Sequence, residues 1–232
     1  MADEVARIRG EYERRRREIP VDFYARWRPE NLFARHSQER ALLTGLRRER
    51  VLPLGDQRIL EVGCGDGDWL GIFAEFGAAP ENLAGIDLDE ARISVARARY
   101  PRSDLRTGEA SHLPWADESF DLVAQSTVFS SILSDQMKRD VASEMLRVLR
   151  PGGVIVWYDF FVNNPANPHV RGVRRSEVEG LFGGCRGRLV RTTLAPPLAR
   201  WLVPRSWAAA TLLASLRVLD THFLGVLRKE IR

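Results

Sequence analysis

Only two of the 232 residues are cysteine, Cys64 and Cys185, and they stand far apart in the chain. Such a pair builds neither a disulfide framework nor a metal-ligand spacing, so no metal site is expected and a reducing cytoplasm is the expected compartment. Lysine is equally scarce: Lys138 and Lys229 are the only two among 35 basic residues. The positive charge is therefore nearly all guanidinium, which favours forked contacts with oxyanions. No apolar run reaches the ~20 residues that cross a bilayer. The longest uncharged stretch near the C-terminal end, 206–216, falls well short of that. The opening MADEVARIRGEYERRRREIP lacks the apolar core of a secretion signal. What is present, 44% hydrophobic and 28% charged residues, excludes collagen-like, low-complexity and wholly disordered chains. The length suits one domain with its own core.

The net charge of +4 hides an uneven distribution. Residues 1–50 carry 13 basic and 9 acidic side chains, residues 51–160 carry 10 and 18, and residues 161–232 carry 12 and 4. An acidic middle between basic flanks implies two different surfaces.

Good helix formers fill 3–18, and Pro20 and Pro29 interrupt them. Asn31 is placed to cap a second helix reaching about residue 50. From residue 58 the pattern alternates. Strands are predicted at 58–62, 83–87, 103–108, 120–125 and 154–160, and helices at 68–76, 89–100 and 135–149, the last stopped by Pro151-Gly152-Gly153. This alternation argues for an α/β fold, a parallel sheet with helices on both faces. Beyond it come an asparagine- and proline-rich loop at 163–168, a short helix at 176–182 and a strand at 188–194. A largely helical stretch, 195–219, is broken by Pro196, Pro197 and Pro204, and a last strand follows at 221–227.

The chemistry concentrates in Leu60-Glu61-Val62-Gly63-Cys64-Gly65-Asp66-Gly67. A strand enters a glycine turn and then a helix, which puts backbone amides at the carboxyl edge of the sheet. A dinucleotide loop wants its third glycine at the position of Asp68. The acidic Glu61, Asp66 and Asp68 suit a cationic or zwitterionic ligand better than a diphosphate. Asp87 ends the second strand, where a carboxylate can take both hydroxyls of a ribose. Asp89 is the better helix cap, which leaves Asp87 free for a ligand.

Four segments, LEVGCGDG, GIDLD, GEASHLPWADESFDLV and EMLRVLRPGGVIVWYDF, together resemble the class I S-adenosylmethionine-dependent methyltransferases. The similarity is strongest to the small-molecule branch that includes the ubiquinone/menaquinone methyltransferases. The resemblance implies a Rossmann-like seven-stranded, mostly parallel sheet with an antiparallel last strand and an N-terminal helical cap. It divides the chain into a cap (1–57), an S-adenosylmethionine-binding core (58–160), and an acceptor-side loop with C-terminal helices and final strands of the same domain (161–232). Gly63, Cys64, Gly65 and Gly67 would line the methionine part, and Glu61 would orient the loop or the amino group. Asp87 would bind the ribose, with Leu88 and Leu113 flanking the adenine. Glu109 and the Ala110 amide would meet the adenine ring, and Gln125 and Ser126 would approach the methionine end. S-adenosyl-L-methionine is the implied cofactor and S-adenosyl-L-homocysteine the product.

Methyl transfer from a sulfonium is a direct displacement, so the protein chiefly aligns the reactants and excludes water. A hydroxyl acceptor also gains from a base. His169 and His36 rank first for that role by their expected position over the site, with Asp159 at the end of the fifth strand competing. The expected reaction is O-methylation of a small molecule: a sugar-containing metabolite, glycan precursor or natural product. N- or C-methylation is the alternative among enzymes, and a non-catalytic adenosylmethionine-binding protein is the alternative of another class. The Asp/Asn-Pro-Pro-aromatic motif of base-amine methyltransferases is missing, because 125–129 reads Gln-Ser-Thr-Val-Phe. Nucleic acid is therefore not an expected partner. The basic flanks suit an anionic or lipid-linked acceptor. The 194–219 stretch, with Trp201, Trp207, Arg200, Arg205 and Arg217, is read as a membrane-surface contact, a helix packed on the sheet, or a dimer contact in a monomer or homodimer.

Overall fold

Two central strands, β1 (Ile59–Val62) and β2 (Leu83–Asp87), are buried at every position, as strands are when helices cover both faces of a parallel sheet. The computed structural model describes residues 2–164 and 167–231. Its sheet also contains β3 (Asp104–Thr107), β4 (Phe120–Ser126), β5 (Leu149–Phe160), β6 (Cys185–Leu194) and β7 (Asp220–Lys229), in the order β3-β2-β1-β4-β5-β7-β6. β7 runs antiparallel to both of its neighbours and the other strands are parallel, as the resemblance implied. The order reverses between β1 and β4, and the crevice at their carboxyl ends is where open α/β sheets bind ligands.

The helices form two layers. On one face α2 (Pro29–Arg48), α3 (Asp68–Glu75) and α4 (Glu90–Arg99) bury Leu42, Leu46, Phe73 and Ile93 against Ile59, Leu122 and Val156. On the other, α1 (Ala2–Glu18), α5 (Asp135–Val148) and α6 (Arg175–Leu181) bury Val5, Ile8, Val141, Met145 and Phe182 against Leu60, Ile86 and Trp157. Ser134 caps α5 by accepting from the Met137 amide (3.2 Å), and Asp89 caps α4 by accepting from the Ala91 amide (3.0 Å). A third, small cluster joins Phe33 of α2 to α7 (Pro196–Leu202) and α8 (Trp207–Ser215), which lie between β6 and β7.

Several local expectations are corrected. Asn31 caps nothing; its amide donates back to the Phe23 and Ala25 carbonyls, and α2 begins earlier, at Pro29. Pro196 and Pro197 open α7 rather than break it, because proline's missing N–H is harmless in a first turn. Strand β5 starts at Leu149, so Pro151-Gly152-Gly153 lies within it, at a register irregularity against β4. β6 and β7 are both longer than predicted.

Candidate cofactor cleft and acceptor edge

Gly63, Gly65 and Gly67 all adopt positive φ (68°, 51° and 80°), so the loop after β1 bends in a way that side chains resist. Its start is fixed by the Gly63 and Cys64 amides, which both donate to the Ile86 carbonyl (2.8 and 3.0 Å). Gly67 occupies the N-cap position of α3 without a capping side chain, and Glu61 substitutes from inside the sheet by accepting from the Leu70 amide (3.1 Å). Burial holds the Glu61 carboxyl well above the usual range, with Asp68 adding to the effect. Glu61 thus orients the loop and the helix start. Cys64 is buried with its Sγ against Gly85, and burial raises its thiol pKa, which leaves it unreactive.

Asp87 was expected to be free, and it is not. One carboxylate oxygen accepts from the Gly65 amide and the other from the Asp89 amide, both at 2.9 Å. Burial raises its pKa, opposed by the nearby Arg92. A carboxylate offers about four lone-pair directions, so two stay open toward the crevice. The loop acids are also less naked than the sequence suggested. Asp66 pairs with Arg92 (3.0 Å) and Asp68 with Arg99 (3.1 Å). Arg92 lies directly over the loop, since a Cβ on Gly65 would collide with its guanidinium.

Gly63, Asp87, Leu88 and Ala110 share one cleft, walled on its far side by Val128, Ile132 and Met137. Ile8 and Tyr12 of α1 complete it and leave about 40 Å³ of open space. The sequence singled out neither Ile8 nor Arg92; nothing in their local pattern distinguishes them from surface or core residues. α1 is moored on three sides. Glu4 accepts from the Leu133 amide (2.6 Å), Arg7 donates to the Ser131 and His169 carbonyls (2.6 and 3.3 Å), and Arg16 pairs with Asp89 (3.1 Å). Bonding to Arg7 pulls the Glu4 carboxyl down to about 2. Of the aromatic residues near the start of the chain, Tyr12 enters the cleft, while Tyr24 and Trp27 face outward.

The remaining predicted residues separate. Leu113 is buried in the core and Glu109 is half-buried beside the cleft. Gln125 is fully buried and braces the turn after β4: its amide donates to the Tyr158 carbonyl (3.3 Å) and its oxygen accepts from the Val128 amide (3.1 Å). Ser126 sits half-buried beside it. His36, expected over the cofactor, is exposed on α2 with its ring against Trp207 (6.0 Å). Asp159 is buried and accepts from the Ser130 and Phe160 amides (3.0 and 2.9 Å), and burial pushes its carboxyl up to about 7. It holds the turn after β4 in place. His169 is partly exposed above the sheet edge, its Nε2 3.9 Å from a carboxylate oxygen of the buried Glu11.

A group that the sequence did not reveal lies at the carboxyl end of β5. Tyr158 is buried, stacked on His222 (5.0 Å between ring centres) and close to Trp69 (5.4 Å). Its hydroxyl accepts from the Gln38 amide and shares a hydrogen bond with the Thr193 hydroxyl, both 2.9 Å. Burial lowers His222 to about 4 and keeps its ring neutral. Thr127 and Thr193, on the neighbouring strand ends, both have positive φ (56° and 66°), a strained conformation for a β-branched residue. These contacts arise from β5–β7 pairing, which places Phe160 opposite His222.

Comparison with known proteins shows what this geometry is similar to. Residues 60–157 match the family described as "Methyltransferase domain". A probable S-adenosylmethionine-dependent methyltransferase from Mycolicibacterium smegmatis is 37% identical over 132 residues, 53% of this chain and 49% of that protein. A demethylmenaquinone methyltransferase from Lactiplantibacillus plantarum is 30% identical over 134 residues, 54% of each chain. The crystal structure of an S-adenosylmethionine-dependent methyltransferase from Mesorhizobium loti superposes with a TM-score of 0.57 at 20% identity, covering 82% of this chain and 98% of that one. Residues 60–157 of this chain are thus similar to methyltransferase domains, among them proteins described as S-adenosylmethionine-dependent, and the fold of that crystal structure is shared. The chain spans about half the length of the curated relatives it matches.

The cleft fits S-adenosylmethionine in kind. A glycine loop that keeps side chains out of the way and a buried carboxylate with open lone pairs suit a zwitterion and a ribose diol, and the walls of Leu88, Ala110 and Met137 suit a flat purine. It does not fit in volume while Ile8 and Tyr12 lie in it, since ligand pockets run ~300–1,000 Å³.

Proposed function

We propose that the chain transfers the methyl group of S-adenosylmethionine to a small-molecule acceptor, with a hydroxyl oxygen as the favoured nucleophile. The observation that carries this reading is Asp87, a buried carboxylate fixed by the Gly65 and Asp89 amides at the switch point of the sheet. The cofactor supplies a methyl group already activated on sulfonium. The chain's part is to bind, to orient and to exclude water. Gly63, Gly65 and Gly67 keep side chains away from the methionine portion, Asp87 holds the ribose hydroxyls, and Leu88 with Ala110 flanks the base. α1 closes the cleft against solvent through Ile8 and Tyr12. His169 is the proposed base, receiving the acceptor's proton on a ring nitrogen, with Glu11 beside it to stabilise the charged ring.

An acceptor bearing an anionic group is favoured over a neutral sugar. A second cleft of about 640 Å³ opens between α5, α6 and the segment after β5, with Lys138, Arg139, Arg171 and Arg174 facing Asp135 and Glu177. Asn163 and Asn167 commit their side-chain oxygens to the loop's own backbone, at the Gly172 and His169 amides (2.9 and 3.1 Å). That weakens the sugar-reading role expected of this loop.

Titration calorimetry with S-adenosylmethionine, S-adenosylhomocysteine and NADH tests the cofactor class. Binding of the two sulfur compounds and not of NADH is expected, and binding of NADH alone would overturn the reading. A His169→Ala variant that still binds the cofactor should lose turnover, and full activity in that variant would remove the base.

A further inference from the structure

Soluble helices hide their apolar residues, and α8 does the reverse. Within Trp207–Ser215, sequence WAAATLLAS, the only residue fully buried is Ala210. Leu212 is 71% exposed, and just beyond the helix Leu216 is 63% and Val218 71% exposed. On α7, Trp201 is 58% exposed with Arg205 lying over its ring (5.3 Å). The surface continues onto the turn before α2. Arg200 covers the Phe23 ring (5.4 Å), and the same turn bears the outward-facing Tyr24 and Trp27. Contiguous exposed apolar surface on this scale marks a docking face.

Charge identifies the occupant. Between residues 194 and 219 there are three arginines and no acidic residue. A two-fold contact between copies of this face would set its arginines against one another, since the one carboxylate of the adjoining 20–28 turn, Asp22, is already paired with Arg28 (2.6 Å). An anionic lipid surface supplies the missing charge. Tryptophan rings and arginine stems, apolar in body and polar at the tip, are the side chains that settle at headgroup depth. No helix among the described residues is long and apolar enough to cross a membrane, which leaves lying on one.

We propose that the α7–α8 face, with the adjoining 20–28 turn, seats the protein on an anionic lipid bilayer. The α7–α8 excursion leaves β6 at Leu194 and returns at Asp220, its pairing partner, at the end of the sheet where β5 finishes. Trp207 also packs on Phe33 of α2 (5.2 Å). The docked face therefore adjoins the end of the sheet where Tyr158 stacks on His222. The docking assignment itself does not depend on methyl transfer.

Vesicle flotation of the full chain tests it. Phosphatidylglycerol vesicles should carry the protein up at low salt, with several-fold less on phosphatidylcholine and on phosphatidylglycerol in 0.5 M salt, taken as roughly three times the screening of physiological buffer. A Leu212→Glu, Leu216→Glu double variant should lose at least about tenfold in partitioning at an unchanged melting temperature, because both sites are solvent-facing. Arg205→Glu with Arg217→Glu should weaken binding to phosphatidylglycerol and leave phosphatidylcholine binding as it was. No partitioning into phosphatidylglycerol, or equal partitioning by the leucine double variant, would overturn the proposal. So would a lipid-free dimer of the wild type that the leucine double variant abolishes.

Discussion

The two ends of the sheet handle polarity in opposite ways. Around β1, β2 and α3 the chain turns carboxylates inward and satisfies them with its own amides: Glu61 on Leu70, Asp87 on Gly65 and Asp89. Around β6 and β7 it turns apolar side chains outward on α8 and intersperses them with arginine. Buried carboxylates with backbone partners make a rigid site for one small ligand. Exposed leucine and tryptophan make an adaptable surface for something much larger. One end is built for the proposed small ligand, and the other for the proposed bilayer.

The comparison can be broken most sharply in the core of the first end. Phe73→Ala removes a fully buried ring from the α3 layer and should destabilise the protein by about 3–5 kcal/mol in urea unfolding. If the loss stays below ~1 kcal/mol, the α3 layer is not the packed anchor of the glycine loop.

The next effect lies at the other end and depends on pH. His222 is neutral when folded down to about pH 4, while the unfolded chain takes up the proton near pH 6.5. Between those values only the unfolded state binds the proton, so stability falls as pH falls, by up to roughly 3 kcal/mol. Asp159 acts in the opposite sense. It stays protonated when folded up to about pH 7, so its contribution falls as pH rises from about 4 to about 7. Wild type shows the sum, and His222→Phe isolates the histidine share. Between pH 7.5 and pH 5 the two contributions oppose each other in wild type, so removing the histidine loss should make the variant gain about 2 kcal/mol over wild type on acidification, read from urea unfolding at both pH values. An identical pH dependence in variant and wild type would remove His222 from the account.

Asp87→Ala should weaken S-adenosylmethionine binding by about 1.5–3 kcal/mol in calorimetry, through loss of charge-assisted contacts and release of the Gly65 amide. Unchanged affinity in a folded variant would take Asp87 out of the site. The smallest effect belongs to α8, where Leu212→Ala should shift stability by no more than ~0.5 kcal/mol. A larger loss would mean that α8 is core after all and would erase the contrast between the ends.

The same division decided what could be read from the sequence. The cofactor end is made of contiguous segments: a strand, a glycine turn and a helix, then a strand ending in aspartate. Each is local, so chain order alone was enough to place Gly63, Gly65, Gly67, Asp87 and Ala110 together. What the sequence missed there was the occupancy of Asp87 and the covering of the loop by Arg92, both of which depend on packing between α4 and the loop. The β6–β7 end is assembled by pairing across long separations. Tyr158 meets Thr193 and His222 only because β7 inserts between β5 and β6. His36 was misplaced for a related reason. Two N-terminal helices were expected to act as one cap, but they lie on opposite faces of the sheet, and only α1 reaches the cleft.

The position of α1 also bears on how the cleft is filled. Ile8 and Tyr12 line the same cleft as Asp87 and Met137, so a ligand of nucleoside size would have to displace the helix to fill it. Lifting it breaks the Glu4, Arg7 and Arg16 moorings together, and those moorings reach three separate loops. The measured affinity for any ligand of this cleft is then its intrinsic affinity scaled by the fraction of molecules with the helix raised.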